Sequence, residues 1–326
     1  MKKFRVLSDL HLDPELNGNY PFSMRNKKIF TVLCGDVAGQ HEYGYDWIAK
    51  NMTSGIIVSG NHMPYNYEDK TMQEQREELA AKYPISAPIT YLDVETGCFK
   101  KEVDGILFIG TCMYSDMKIT HSGNPDGDVT INKMISHRHM NDYRFGIKEK
   151  VYDFGIDNDP RLVRITPTDY EEWFANAFEK IEAELVANES SSSPKPVVLV
   201  THYPLIKKLL ENSFYDSVDK NFASYGSDKE EWIKNHPSIK CYCCGHVHDI
   251  APEYRNYKLQ RDNGSYCLVV NNARGYVRSG HDFNFNPNVF VNVETWEVEK
   301  IQESKATIER KKKAQQQRLA MMSLFW

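Results

Sequence analysis

Five short segments of the chain end in side chains that can bind a divalent cation or move a proton. They are Asp9-Leu10-His11, Gly35-Asp36, Gly60-Asn61-His62, Thr201-His202 and Gly245-His246-Val247-His248. In Asp9-x-His11 and His246-x-His248, alternate residues of one extended segment can converge on a common centre. A mixed carboxylate, imidazole and amide set suits borderline ions such as Mn²⁺, Fe²⁺, Zn²⁺ or Ni²⁺. Mg²⁺ or Ca²⁺ would call for oxygen alone. Asp9, His11, Asp36, Asn61, His202, His246 and His248 are too many donors for one tetrahedral ion and about right for two ions that share a carboxylate. Two ions roughly 3.5–4 Å apart would activate a bridging water and clamp a phosphoryl group during in-line displacement. Each segment alone says little, because Gly-Asp is a common turn and a lone histidine is more often structural. Their joint occurrence is the signal.

Each segment follows an apolar, β-branched run. Such runs occur at 4–8 (FRVLS), 29–34 (IFTVLC), 55–59 (GIIVS), 106–110 (ILFIG), 197–200 (VVLV), 239–243 (IKCYC) and 267–270 (CLVV). Runs of this length suit strands buried on both faces. In open α/β sheets ligands gather beyond the carboxyl ends of the strands, where these polar residues fall. The pattern therefore implies an α/β core. The stretch CYCCGHVHDI (241–250) belongs to it rather than to a closed zinc site, which would usually pair Cys-x-x-Cys with a second such pair. Its alternation instead suits a strand with Cys241 and Cys243 on one face and Cys244 on the other.

The clearest helix spans about Thr168 to Leu185, where Tyr170, Phe174, Ala177, Ile181 and Leu185 recur at helical spacing and Thr168 with Glu171 forms a capping-box pair. A second helix is expected over 73–83. Residues 117–166 carry little strand signal and read as an insertion dominated by a long polar loop, a kind of segment often used as a lid. Alternation over 289–301 suits a late strand. The chain then divides into a domain over 1–303 and a basic helical tail over 304–326, whose Met321, Met322, Leu324, Phe325 and Trp326 would dock on its own domain.

The 326 residues are 41% apolar, enough for a large buried core, and the net charge of -5 gives no general reason to bind nucleic acid or an anionic membrane. Mean hydropathy is negative and no apolar run approaches the ~18 residues of a membrane span. The N-terminal lysines imitate a secretory leader, but Asp9 and His11 interrupt the apolar run. Seven cysteines without a regular framework read as reduced thiols, so the expected location is cytoplasmic.

In Asp9-x-His11, Gly35-Asp36, Gly60-Asn61-His62, Thr201-His202-Tyr203-Pro204 and Gly245-His246-x-His248 the sequence resembles the calcineurin-like metallophosphoesterase superfamily. The stretches at 106–117, 140–147, 222–233 and 269–276 are similar to those of a bacterial and phage subgroup, so the likeness covers most of residues 3–278. It implies a four-layer α/β/β/α sandwich of two mixed β-sheets flanked by helices. It further implies that Asp9, His11 and His248 bind one metal, that Asn61, His202 and His246 bind the other, and that Asp36 bridges. His62 would be unligated and catalytic, as general acid or as a cationic partner of the phosphoryl oxygens. In this sequence Met63 stands where the superfamily commonly has Asp or Glu after that histidine. Gly35-Asp36 continues as Val-Ala-Gly-Gln, which disfavours the protein Ser/Thr phosphatase branch.

Arg144 and Arg274 are the best further cations for binding a phosphate-ester substrate, and Tyr114 and Asp116 are candidate pocket residues. The expected activity is two-metal hydrolysis of a phosphomonoester or phosphodiester by a metal-bridging hydroxide, with Mn²⁺ favoured. The alternatives are a DNA or RNA nuclease of the same superfamily, for which the basic tail speaks, and a non-catalytic metal-binding scaffold, against which the full ligand set speaks.

Overall fold

The apolar runs become the parallel centres of two mixed sheets. The computed structural model describes residues 1–13, 24, 26–39, 41–65, 69–119, 129–151, 160–211, 222–277 and 281–322. In chain order the strands are β1 (Lys3–Leu7), β2 (Thr31–Cys34), β3 (Gly55–Val58), β4 (Ile89–Tyr91), β5 (Lys100–Val103), β6 (Ile106–Thr111), β7 (Ile147–Val151), β8 (Arg161–Arg164), β9 (Val197–Thr201), β10 (Ile239–Cys244), β11 (Asn256–Gln260), β12 (Tyr266–Asn271), β13 (Val289–Asn292) and β14 (Glu297–Lys300). One sheet has the order β14-β13-β1-β2-β3-β4 and the other β11-β12-β10-β9-β6-β5. Strands β1 to β4 run parallel, as do β6, β9, β10 and β12. Antiparallel strands complete the edges.

Period-two alternation builds the layers. Val6, Val32, Cys34, Ile56 and Val58 point between the sheets and meet Phe108, Val198, Val200, Cys241, Cys243 and Val270. Their neighbours Leu7, Leu33 and Ile57 point the other way, towards Ile48 and Leu79 of the helices His41–Asn51 and Met72–Lys82. On the far side Leu107, Leu199, Tyr242 and Cys244 pack on Phe174, Ala177, Ile181 and Leu185 of the helix Pro167–Glu189. Burying each such side chain contributes roughly 1.5–3 kcal/mol. The result is the expected four-layer α/β/β/α sandwich of two mixed sheets flanked by helices. Cys241 and Cys243 share the inter-sheet face, with sulfurs 3.6 Å apart, and all seven cysteines are free thiols.

Four local expectations need correction. The long helix starts one residue earlier than Thr168 and ends four later than Leu185. Thr166 is its N-cap, and the capping box joins Thr166 to Asp169. Pro167 decides this, because the first helical position tolerates a missing N–H and favours its fixed φ. The second helix, Met72–Lys82, is offset by one residue and is capped by Thr71 with Glu74. The stretch 117–166 is more regular than a loop: it contains the helix Val129–His139, a helical turn at Asp142–Phe145 and the β7/β8 hairpin. The hairpin's exposed faces are charged, which hid it from an apolar-run search; the sequence 122–128 lies outside the described residues. Finally, 289–301 is a hairpin rather than one strand, because Asn292 accepts the N–H groups of Glu294 and Thr295 and turns the chain.

The tail forms the helix Lys305–Met322, with Ser304 accepting the N–H of Thr307. Lys311 on this helix is buried, pairs with Glu303 and donates to the carbonyl of Phe285. The last four residues, at the proposed docking end, lie outside the described residues. Among those described, no helix is long and apolar enough to cross a membrane.

Candidate metal centre

The carboxyl ends of β1, β2 and β3 in one sheet face those of β9 and β10 in the other, so all five segments reach one buried rim. Adjacent turns tie one another down: the N–H of Asp9 donates to Gly35, that of His11 to Asp36 and that of Gly245 to His202. Asp9, His11, Asp36 and His246 have φ of 51°, 43°, 49° and 67°. This left-handed region costs an L-residue about 1–2 kcal/mol, and residues held there cluster at functional sites. Close packing explains two glycines. A Cβ at Gly60 would sit 2.0 Å from Oδ1 of Asp36, and one at Gly35 (φ +87°) 2.4 Å from Nδ1 of His202.

The donor atoms form two neighbouring sets. Nε2 of His248 lies 3.0 Å from Oδ1 of Asp9 and 3.2 Å from Nε2 of His11, which is itself 3.9 Å from that oxygen. Oδ1 of Asn61 lies 3.0 Å from Nε2 of His202 and 3.1 Å from Nδ1 of His246. Asp36 reaches both, grouping with Asp9 and His202 on one side and with His11 and His62 on the other. Donors held about 2.1 Å from a common centre stand about 3.0–3.4 Å apart, and all of these separations but that of His11 from Asp9 lie in this range, as a bound cation requires. The other atoms of the donors are anchored by the protein. The carbonyl of Cys34 is 2.8 Å from Nδ1 of His202 and can only accept, so Nδ1 carries a hydrogen and Nε2 is the nitrogen that faces the rim. The N–H of His246 donates to the Asp9 carboxylate and that of His62 to Asp36.

Electrostatics follow from burial and crowding. Burial, then the charges of His62 and His248, push His11 well below the ordinary imidazole range. Burial and His202 do the same to His246. Burial would raise Asp36, but His202 and His62 hold it well below the usual carboxylate range. Burial opposes protonation of His202, yet its contact with Asp36, at 3.3 Å, lifts it to about 9.

His62 faces the cleft, with Nε2 3.1 Å from the Tyr276 hydroxyl and 4.0 Å from Asp36, and its ring 4.1 Å from that of Tyr65. Met63 is buried beneath it among Ile48, Ile57 and Leu79. Tyr65, Asn141, Asp142, Tyr225 and Tyr276 line the cleft together with His62. Of these, only Asp142 sits fully buried, accepting hydrogen bonds from Asn61 and three tyrosines. Burial raises its carboxyl above the ordinary value, and those donors oppose the rise. Arg255, also buried, donates to the carbonyls of His248 and Ala273 and so anchors the His246–His248 turn.

Sequence reasoning missed Tyr65, Tyr276, Asp142 and Arg255 as site residues, although two of them lie in stretches whose likeness it noted. Arg144 is exposed, with its guanidinium 3.4 Å from the carbonyl of Arg138. Arg274 is buried and donates to the carbonyl of Leu10 at 3.1 Å, behind the Asp9–His11 turn. Tyr114 and Asp116 lie inside the core instead of the cleft, where Tyr114 accepts from Arg76 and Asp116 pairs with Lys229 at 2.9 Å.

No family model matches the chain, and no curated protein matches it. Among solved structures the fold is similar to a crystal structure of phosphopantetheinyl hydrolase (PptH) from Mycobacterium tuberculosis. The TM-score is 0.53 at 18% sequence identity, and the match covers 85% of this chain and 90% of that chain. At that identity the likeness concerns the fold.

Proposed function

We propose that the chain is a metal-dependent hydrolase of phosphate esters, of the calcineurin-like metallophosphoesterase type, that uses two divalent ions with Mn²⁺ favoured. The observation that carries this reading is the convergence of two donor sets at one buried rim, Asp9 with His11 and His248, and Asn61 with His202 and His246, with Asp36 reaching both. Ions bound there would make water nucleophilic near neutral pH and offset the charge of the phosphoryl oxygens.

The chain's own groups supply the rest. Asp36 remains ionised and is fixed by the N–H of His62. His62 presents Nε2 to the cleft, where it can protonate a leaving oxygen or carry positive charge beside it. The Tyr276 hydroxyl orients that nitrogen, a task the carboxylate following the histidine would otherwise share. Arg144 stands two residues beyond Asp142, which lines the cleft, and is proposed as the cation for a distal part of the substrate. Arg274 is assigned to bracing the Asp9–His11 turn through Leu10.

The test is release of nitrophenol from mono- and bis-(nitrophenyl) phosphate with added Mn²⁺, Fe²⁺, Zn²⁺ or Ni²⁺. Phosphopantetheinyl conjugates, suggested by the name of the similar structure, and polynucleotides complete the panel. Turnover in the wild type should fall about 10²–10⁴-fold in His62→Ala while the ions stay bound. A folded protein inert with every ion and ester would refute the reading.

A further inference from the structure

Asn61 presents a problem that an aspartate would not. Its two amide ends are nearly equal in shape, but only the oxygen can face a cation. A ligand amide that turned over would direct N–H groups at the ion. Something must therefore hold the nitrogen away from the rim.

Nδ2 of Asn61 donates to Oδ1 of Asp142 at 3.0 Å, while its Oδ1 faces His202 and His246. The carboxyl of Asp142 is surrounded by donors. The Tyr65 hydroxyl shares Oδ1 with Asn61, and the hydroxyls of Tyr170 and Tyr203 reach Oδ2 at 3.1 and 3.2 Å. These tyrosines come from the turn after β3, from the long helix and from the turn after β9, so the carboxyl oxygens are fixed from three directions. An acceptor fixed in this way rejects the oxygen end of the Asn61 amide and accepts the nitrogen end. Asp142 itself lies in the 117–166 stretch, which is thereby coupled to the rim through one hydrogen bond.

We infer that Asp142 is a positioning residue that sets the Asn61 amide with its oxygen towards the centre, and so sets the affinity of the ion held by Asn61, His202 and His246. The inference rests on the two-ion reading above. It goes beyond that reading by making the inserted stretch part of the metal site.

Calorimetric titration of the whole chain with Mn²⁺ tests it. If the wild type binds no Mn²⁺, the two-ion reading itself fails. If the wild type binds two, Asp142→Leu should weaken one ion by about 10–100-fold, the cost typical of losing a group that orients a ligand, and leave the other unchanged. Equal affinity for both ions in a folded Asp142→Leu protein would overturn the inference. A reciprocal exchange separates orientation from general structural damage. Asn61→Asp alone sets two carboxylates against each other and should lose the same ion. Adding Asp142→Asn restores a donor facing an acceptor and should recover it. A folded double variant that binds no better than Asn61→Asp would overturn the inference. Should the variants fail to fold, the crystal structure of the Mn²⁺-loaded wild type decides, since an Asn61 nitrogen turned away from Asp142 there is incompatible with the proposed role.

Discussion

Replacing Gly60 with alanine adds one methyl group directly against Asp36, the carboxylate that reaches both donor sets. Its Cβ would sit 2.0 Å from Oδ1, 2.6 Å from Cγ and 2.7 Å from the backbone nitrogen of Asp36. Ordinary contact begins at 3.4 Å, so the carboxylate oxygen must retreat by about 1.4 Å. Rotating the side chain does not suffice, because the backbone nitrogen is also inside 3.0 Å. A retreat of that size takes Oδ1 out of hydrogen-bond range of the His62 N–H, now 3.0 Å away. It also exceeds by several-fold the ~0.2 Å tolerance of a metal–ligand distance. Because Asp36 reaches both donor sets, Gly60→Ala should weaken both ions by at least about 100-fold in a Mn²⁺ titration, with loss of ester hydrolysis. Gly97→Ala is the control. Unlike Gly60, that glycine has a positive φ, +76°, but nothing lies within 4 Å of its Cβ. It should lose about 1–2 kcal/mol of stability and keep both ions. A folded Gly60→Ala protein with wild-type affinity for two ions would refute the reasoning.

Two further outcomes are expected. Gly44 lies inside the helix His41–Asn51, and an added Cβ there meets nothing closer than 3.7 Å, so Gly44→Ala should stabilise the protein by about 0.5–1 kcal/mol; a lowered thermal midpoint would contradict this. In metal-free protein His202 has its folded pKa raised from 6.5 to about 9. The group binds its proton more tightly when folded, so its contribution, on the order of 3 kcal/mol, is fully present below pH 6.5 and lost as the pH rises through 9. Urea midpoints of metal-free protein should fall over that window, and Mn²⁺, which displaces this proton, should bind more tightly across it; a metal-free midpoint flat from pH 6.5 to 9.5 would exclude the assignment.

The layers of the fold were legible because the strands write them locally. In β2 the uninterrupted apolar run implied burial on both faces, and the structure sets Val32 and Cys34 against the other sheet and Leu33 against the helices. The seven proposed ligands were legible for a related reason: each sits directly after a strand, and parallel strands deliver their ends to one rim. Capping was less legible. Thr166 with Asp169 and Thr168 with Glu171 both satisfy the box, and only the preference of Pro167 for the first helical position separates them. The groups that hold the ligands in place left no local pattern. Asp142 reaches Asn61 across 81 residues and Tyr276 reaches His62 across 214. No periodicity relates such pairs, and a tyrosine in a polar stretch looks the same whether or not it orients a histidine.

That division has a physical basis. The first donors stand on strained backbone, with Asp9, His11, Asp36 and His246 all at positive φ, and strain of this kind persists only when the surroundings over-determine it. The restraint comes largely from the segment after β12. There the N–H groups of Arg274 and Gly275 donate to Ser8 and Asp9, the Arg274 guanidinium holds Leu10, and the Asn272 amide spans from Val6 to Asn286. Ser8 and Ala273 form a parallel bridge, so this segment joins the end of one sheet to the end of the other. The buried arginines of the rim, Arg255 and Arg274, thus donate to backbone carbonyls of the ligand turns. A cation needs its ligands fixed before it arrives, because ordering them on binding would subtract from its affinity. Among the described residues, the buried Arg255 and Arg274 are therefore committed to the rigidity of the proposed ligands, which in the proposed reaction leaves the phosphoryl charge to the ions and to His62 and a distal part of the substrate to Arg144.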